Sequence, residues 1–68
     1  MIIHVNGQER EVTPPVRLRE VLDLPDGAAA PRGIAVAVNG QVIPRSQHAH
    51  TELTEGARVE IVTAVQGG

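Results

Sequence analysis

The group in this sequence with the clearest chemical potential is the carboxyl group of Gly68, which follows Gln66 and Gly67 at the end of the chain. Because glycine has no Cβ, such a segment can enter a slot too narrow for other residues. A free carboxylate is ionised at neutral pH and is a poor electrophile, so it must be activated by another protein. We therefore expect Gln66 and Gly67 to thread into a partner and Gly68 to be the residue that reacts.

The remaining side chains offer little chemistry of their own. The sequence has no Cys and three His, at positions 4, 48 and 50. His48, His50 and Glu52 lie two residues apart in an irregular segment, but a zinc site normally needs three or four ligands with supporting hydrogen bonds. We expect these histidines to be solvated at the surface and no metal to be bound. With no nucleophile and no phosphate-binding loop, we predict no catalytic residue, so that the chain is no enzyme.

The composition limits the possible partners and favours a sheet. The apolar residues include ten Val, five Ile and four Leu but no aromatic residue, and β-branched side chains suit strands. A net charge of −2 and the lack of a base-stacking side chain argue against nucleic acid. No stretch is apolar enough to span a membrane, and the first residues do not form a signal peptide. We expect a cytoplasmic protein with no membrane partner.

Two Asn-Gly pairs predict two β-hairpins, because a type I′ turn needs positive φ at both central residues. Asn6-Gly7 joins strands 2–5 and 8–12, of which the second is polar and suits a sheet edge. Asn39-Gly40 joins strands 34–38 and 41–43, and a last strand is predicted over 58–65. Residues 46–53 are expected to be irregular, with at most one helical turn.

A single short helix is predicted between the hairpins. Thr13 and the two prolines after it favour a helix start, with Thr13 near the N-cap. Leu18, Val21 and Leu22 then form one apolar stripe. The helix is expected to make about two turns and to end at Pro25, and residues 24–33 to form a mobile surface loop.

These elements give the order β-β-α-β-β-β and the α+β class. The expected architecture is one helix packed across a mixed sheet, with the first and last strands adjacent and parallel. Residues 1–65 would form a single domain and 66–68 a flexible tail that becomes ordered on binding. In strand 34–38 the branched residues should face the helix. Ala35 and Ala37 then form a smooth outer surface, which we predict as a docking site together with Arg45.

Four segments in this order resemble the sulfur carrier protein of thiamine biosynthesis, within the ubiquitin-like β-grasp family. They are Ile34-Ala35-Val36-Ala37-Val38-Asn39, Val42-Ile43-Pro44-Arg45, residues 55–62 and Val65-Gln66-Gly67-Gly68. The first half of the chain matches only in length and element order. The family often carries a bulky aromatic residue three positions after the Pro-Arg pair, where this sequence has His48.

The resemblance implies a carrier that acts as a cosubstrate and binds no cofactor itself. An E1-like adenylating enzyme would use ATP to convert Gly68 to an acyl-adenylate. A persulfide, such as that of a cysteine desulfurase, would then leave a thiocarboxylate at Gly68, and thiazole synthase would receive the sulfur.

Three other functions remain open at this point. A related thiocarboxylate carrier could serve molybdopterin or cysteine synthesis, although the molybdopterin subunit tends to be longer, with aromatic residues and a Pro-rich stretch before its glycines. A ubiquitin-like protein modifier is a second alternative, and the absence of Lys argues against modifiers that form chains. A β-grasp module that only binds a partner is the third, and it would have no reason to end in two glycines.

Overall fold

The computed structural model describes residues 1–24 and 32–63, which form a five-stranded mixed sheet, a two-stranded sheet and one short helix. The elements in chain order are β1 (Ile2–Val5), β2 (Gln8–Glu11), β3 (Val16–Arg17), α1 (Leu18–Val21), β4 (Ile34–Val38), β5 (Gln41–Ile43), a 3-10 helix (Arg45–Gln47), β6 (Glu52–Leu53) and β7 (Arg58–Thr63). Within these described ranges, no helix is long and apolar enough to cross a membrane.

The large sheet has the strand order β2-β1-β7-β4-β5. The pairs β1–β2, β4–β5 and β4–β7 are antiparallel, whereas β1 and β7 are parallel, with His4 opposite Arg58 and Val5 opposite Val59. The predicted mixed sheet is therefore confirmed, including the parallel pairing of the first and last strands. The prediction that the polar second strand lies at an edge is confirmed as well.

Both Asn-Gly turns adopt the predicted geometry. The φ angles are 50° at Asn6, 83° at Gly7, 52° at Asn39 and 84° at Gly40, which matches the two positive values of a type I′ turn. The asparagine side chains also reach the central strand: Asn6 Oδ1 accepts a hydrogen bond from the Ile61 N–H at 2.8 Å, and Asn39 Oδ1 accepts one from the Arg58 N–H at 2.9 Å. Each turn is thus fastened to β7.

The core lies between one face of the large sheet and the segments that cross it. Its buried members are Ile3, Val5, Val16, Leu18, Val36, Leu53, Ala57 and Val59. The predicted face assignment in β4 holds, since Val36 is buried while Ala35 is exposed; in β1, Ile3 and Val5 are buried while Ile2 and His4 are only half-buried. The predicted helix stripe is confirmed too, with Leu18 buried and Val21 and Leu22 packed against the core at its side.

The predicted start and length of the helix were wrong. The helix begins at Leu18 and makes one turn, and Val16 and Arg17 before it form a strand against Leu53 and Glu52. The N-cap is Arg17, whose N–H donates to Glu20 Oε2 at 2.7 Å, so Thr13 does not cap it. Val16 is buried and pairs with Leu53 of β6, so this segment is held as a strand by a partner far along the chain.

The segment predicted to be irregular holds two short elements. The 3-10 helix over Arg45–Gln47 supplies the single helical turn, but β6 was not predicted because two residues give no periodic signal. The end of the helix at Pro25, most of the loop predicted over 24–33, and the tail at 66–68 fall on residues 25–31 and 64–68. These predictions lie outside the described residues.

Candidate functional site

The three residues predicted to react or to thread into a partner, Gln66, Gly67 and Gly68, lie outside the described residues, and the structure shows the strand that leads to them. Thr63 is the last residue of β7. Five further residues reach Gly68, so its carboxyl group lies at most roughly 18 Å along the chain from Thr63. Any protein that receives Gly68 must therefore contact the surface around the end of β7.

The strand β7 is firmly held in the middle of the sheet. It pairs with β1 on one side and with β4 on the other, and its Val59 side chain is 1% exposed. The two asparagine side chains of the turns fix its backbone at Arg58 and Ile61. The residues after Thr63 thus continue from a strand whose backbone is fixed on both sides.

The outer face of the sheet, opposite the core, carries a small apolar surface next to the end of β7. The register places Ala35 opposite Val62 and Ala37 opposite Val42, so these four side chains point to the same side. Val42 is 74% exposed and Val62 is 59% exposed. We call Ala35, Ala37, Val42 and Val62 the outer apolar patch.

Sequence reasoning identified the two alanines of this patch but not the two valines. The signal was available for Val42, because a two-residue turn at Asn39-Gly40 fixes residue 42 opposite residue 37. For Val62 no such signal existed. Its register with Ala35 depends on the pairing of β4 with β7, which no hairpin turn sets.

The rest of the outer face is charged and mainly acidic. Glu9 and Arg58 lie opposite His4 on its two neighbouring strands, and Glu60 lies opposite Ala37 of the patch. Glu11 shares the face of Glu9. Three carboxylates against one guanidinium make this half of the face electronegative. A partner that covered the whole outer face would need apolar side chains opposite the outer apolar patch and basic side chains opposite the acidic half.

Arg45, the third predicted docking residue, is exposed but does not belong to the sheet face. It opens the 3-10 helix immediately after Pro44, beyond the end of β5. The docking role of Arg45 stays a prediction, and Arg45 lies outside the strands that carry the outer apolar patch.

His48 was expected to be solvated, and this prediction was wrong. The side chain is 1% exposed, and its Nε2 lies 3.0 Å from the Ile43 carbonyl oxygen. Since a carbonyl can only accept, Nε2 carries the proton and donates. The imidazole lies in the interior and ties the segment after the 3-10 helix to the end of β5.

The other two histidines do not join His48 in a site. His4 is half-buried on the outer face and His50 is exposed. Within residues 1–24 and 32–63, no group of three His, Cys, Asp or Glu side chains is arranged to hold a metal ion.

The comparisons with known proteins agree with this geometry. A family model described as the ThiS family matches residues 3–68. The chain belongs to the ThiS family. The resemblance to the sulfur carrier protein of thiamine biosynthesis is thereby confirmed, and with it the ubiquitin-like β-grasp fold of the α+β class.

A solved structure supports the same assignment. The crystal structure of the thiamine biosynthesis protein ThiS from Geobacter metallireducens is 25% identical in sequence, covers 100% of both chains and superimposes with a TM-score of 0.74. None of the curated proteins matches the chain. The ThiS family match includes both the outer apolar patch and the final residues Gln66, Gly67 and Gly68.

Proposed function

We propose that this ThiS-type sulfur carrier serves thiamine biosynthesis by carrying sulfur as a thiocarboxylate on Gly68. The observation that supports this most is the extent of the family match, which runs from residue 3 through Gly68. The likeness over the full length to a thiamine biosynthesis protein supports the same pathway. The carrier is a cosubstrate in this account, and its partners perform the catalysis.

The first step activates the carboxylate. In the active site of an E1-like adenylating enzyme, a carboxylate oxygen of Gly68 attacks the α-phosphorus of ATP and pyrophosphate leaves. The product is an acyl-adenylate, in which AMP is a good leaving group. The chain has no Cys and no Lys, so it offers no thiol or side-chain amine that would compete for the activated carbonyl carbon.

The second step introduces the sulfur. The terminal sulfur of a persulfide, of the kind that a cysteine desulfurase forms, attacks the carbonyl carbon and displaces AMP. A thiol then reduces the resulting acyl disulfide, which leaves a thiocarboxylate on Gly68 and a disulfide on the donor side. Thiazole synthase takes up the sulfur, and water restores the carboxylate of Gly68.

The outer apolar patch supplies the docking surface for these partners. Val62 belongs to the same strand that leads to Gly68, so a partner seated on the patch is within reach of the terminus. Four small side chains are far less than the roughly 800 Å² per partner of a stable interface. We therefore expect short-lived complexes, as a carrier that must leave one enzyme for the next requires.

The test compares the complete chain with a chain that lacks Gly68 in a reaction with a thiamine-pathway adenylating enzyme. ATP–pyrophosphate exchange should depend on the complete chain and be lost without Gly68. A matched control is the Gln41→Ala chain, which changes an exposed residue on the face of β5 opposite to the outer apolar patch, and should retain exchange.

Three outcomes would contradict the proposal. Undiminished exchange without Gly68 would mean that the terminus is not the activated group. An amide to another protein instead of a thiocarboxylate would indicate a ubiquitin-like modifier. Sulfur transfer to a molybdopterin or cysteine precursor, with none to the thiazole, would indicate a related carrier.

A further inference from the structure

The strand β7 continues beyond the end of its neighbour β1. The parallel pairing ends with Val5 opposite Val59, after which the chain of β1 turns away at Asn6. Asn6 makes the last two contacts on this side, since its N–H donates to the Val59 carbonyl at 2.9 Å and its Oδ1 accepts from the Ile61 N–H at 2.8 Å. From the Ile61 carbonyl onward this side of β7 has no neighbouring strand among the described residues.

The hydrogen bonds show which backbone groups face this open side. The Asn39 N–H donates to the Arg58 carbonyl and Asn39 Oδ1 accepts from the Arg58 N–H, so Arg58 faces β4. Because backbone groups alternate along an antiparallel pair, Glu60 and Val62 also face β4, and Val59, Ile61 and Thr63 face the β1 side. The carbonyl of Ile61 and both backbone groups of Thr63 therefore form a free edge.

This free edge differs from the other two edges of the sheet. The sequence of β2 places three charged residues in a row, Glu9 to Glu11, and β5 has only three residues before Pro44. Charges, shortness and proline are the usual means by which proteins prevent strand addition. Residues 61–68 contain no charged residue and no proline, and four of the eight are β-branched. Among the described residues, neither charge nor proline protects this edge.

We propose that an extended segment of the adenylating enzyme pairs with this free edge of β7, in the place that β1 leaves open. This inference rests on the proposed function. Only a backbone in extended conformation offers donors and acceptors at the spacing of residues 61 and 63, about 6.6–6.8 Å apart. A shallow hollow of about 460 Å³ lies before the free edge begins and is lined by His4, Asn6, Gly7, Arg58, Val59 and Glu60.

The position of the free edge, close to Gly68 along the chain, identifies the adenylating enzyme as the partner that pairs with it. Thr63 is five residues from Gly68, so the enzyme that encloses the terminus must run alongside this part of the chain. The edge is also continuous with the outer apolar patch, which contains Val62. Strand addition would fix the direction in which residues 64–68 leave the sheet, and so align Gly68 with the bound ATP. A second copy of the chain would have only these three backbone groups to pair with, whereas the adenylating enzyme of the proposed function also holds the terminus and the outer apolar patch.

The first test is amide hydrogen exchange of the full chain, free and in complex with the adenylating enzyme and a non-hydrolysable ATP analogue. The Thr63 amide should become at least about tenfold slower in exchange on binding, as expected for a newly paired strand. The backbone amides of Glu9 and Glu11 are the controls in this experiment. The paired hydrogen bonds of Met1 with Val12 make these two amides face away from β1, so they are equally free of a strand partner and should not change.

The second test removes the donor itself. Thr63→Pro deletes an N–H that faces away from β4, a position where proline is tolerated in a strand. Thr63→Val keeps the N–H and loses only the hydroxyl. The apparent KM of adenylation should rise about tenfold for Thr63→Pro, because a carbonyl of the enzyme is left without its donor, and should be unchanged for Thr63→Val. Thermal unfolding of both variants checks that each is folded.

The results separate this inference from the proposed function. Normal adenylation with an unprotected Thr63 amide, or equal KM values for Thr63→Pro and Thr63→Val, would overturn strand addition and leave the function intact. A wild-type chain whose Gly68 is not adenylated at all would overturn both.

Discussion

Replacement of Asn39 tests how the turns hold β7, the strand that leads to Gly68. Asn39 has a φ of 52°, a region in which a residue with an ordinary side chain is strained. Its Oδ1 accepts a hydrogen bond from the Arg58 N–H at 2.9 Å. Three variants separate the two contributions: Asn39→Ala loses both, Asn39→Gly keeps the backbone freedom and loses the hydrogen bond, and Asn39→Asp keeps an acceptor.

The expected magnitudes follow from these two terms. A positive φ at an alanine costs about 1 kcal/mol. The hydrogen bond is exposed, so its loss costs about 1 kcal/mol or slightly less. Asn39→Ala should therefore lower the free energy of unfolding by about 2 kcal/mol, and Asn39→Gly by about 1 kcal/mol. In a domain of this size, each kcal/mol corresponds to a decrease in Tm of about 4–8 °C.

Thermal unfolding followed by far-UV circular dichroism measures these differences. We expect the order wild type, then Asn39→Asp close to it, then Asn39→Gly, then Asn39→Ala. If Asn39→Gly unfolds at the wild-type temperature, the side-chain hydrogen bond to β7 contributes nothing. If Asn39→Ala and Asn39→Gly are equally stable, the strain argument is refuted.

Three further predictions concern the core, the buried histidine and the docking surface. Leu18→Ala should lower the free energy of unfolding by about 2–5 kcal/mol, because Leu18 is 0% exposed and leaves a cavity; urea unfolding measures this, and a loss under 1 kcal/mol would contradict it. His48→Ala should cost about 3 kcal/mol in the same assay, since it removes the hydrogen bond to the Ile43 carbonyl and leaves a void, and wild-type stability would show that the imidazole is not needed there. Val42→Asp should raise the KM of adenylation about tenfold with little change in Tm, whereas Gln41→Asp, on the opposite face of the same strand, should not; equal effects would exclude the outer apolar patch as the docking surface.

The sequence was most informative where local chemistry determines the structure. Asn-Gly pairs predict their turns because few other residues accept two positive φ angles, and these turns set the pairing within each hairpin. The alternation of branched residues in β4 then separates the core face from the outer face. The placement of Ala35 and Ala37 on the outer face followed from the same alternation.

The errors arose where tertiary packing decided the outcome. Residues 13–17 have signals for a helix start, but Val16 is buried opposite Leu53, 37 residues further along the chain. No local pattern reveals that contact. His48 was misjudged for the same reason, since its burial depends on partners that the fold brings close, such as the Ile43 carbonyl, and no local pattern reveals them. The open edge at Thr63 likewise depends on where β1 ends relative to β7, which only the register shows.

The measurement that tests the central claim most directly is an intact mass of the chain after reaction with the adenylating enzyme, ATP, a persulfide donor and a thiol, followed by a thiol-alkylating reagent. The chain contains no Cys, so the reagent finds a sulfur only if one has been installed. We predict one alkyl adduct that requires ATP and maps to Gly68, which identifies a thiocarboxylate. An unalkylated chain, under conditions in which the same enzyme modifies its own carrier, would contradict the account.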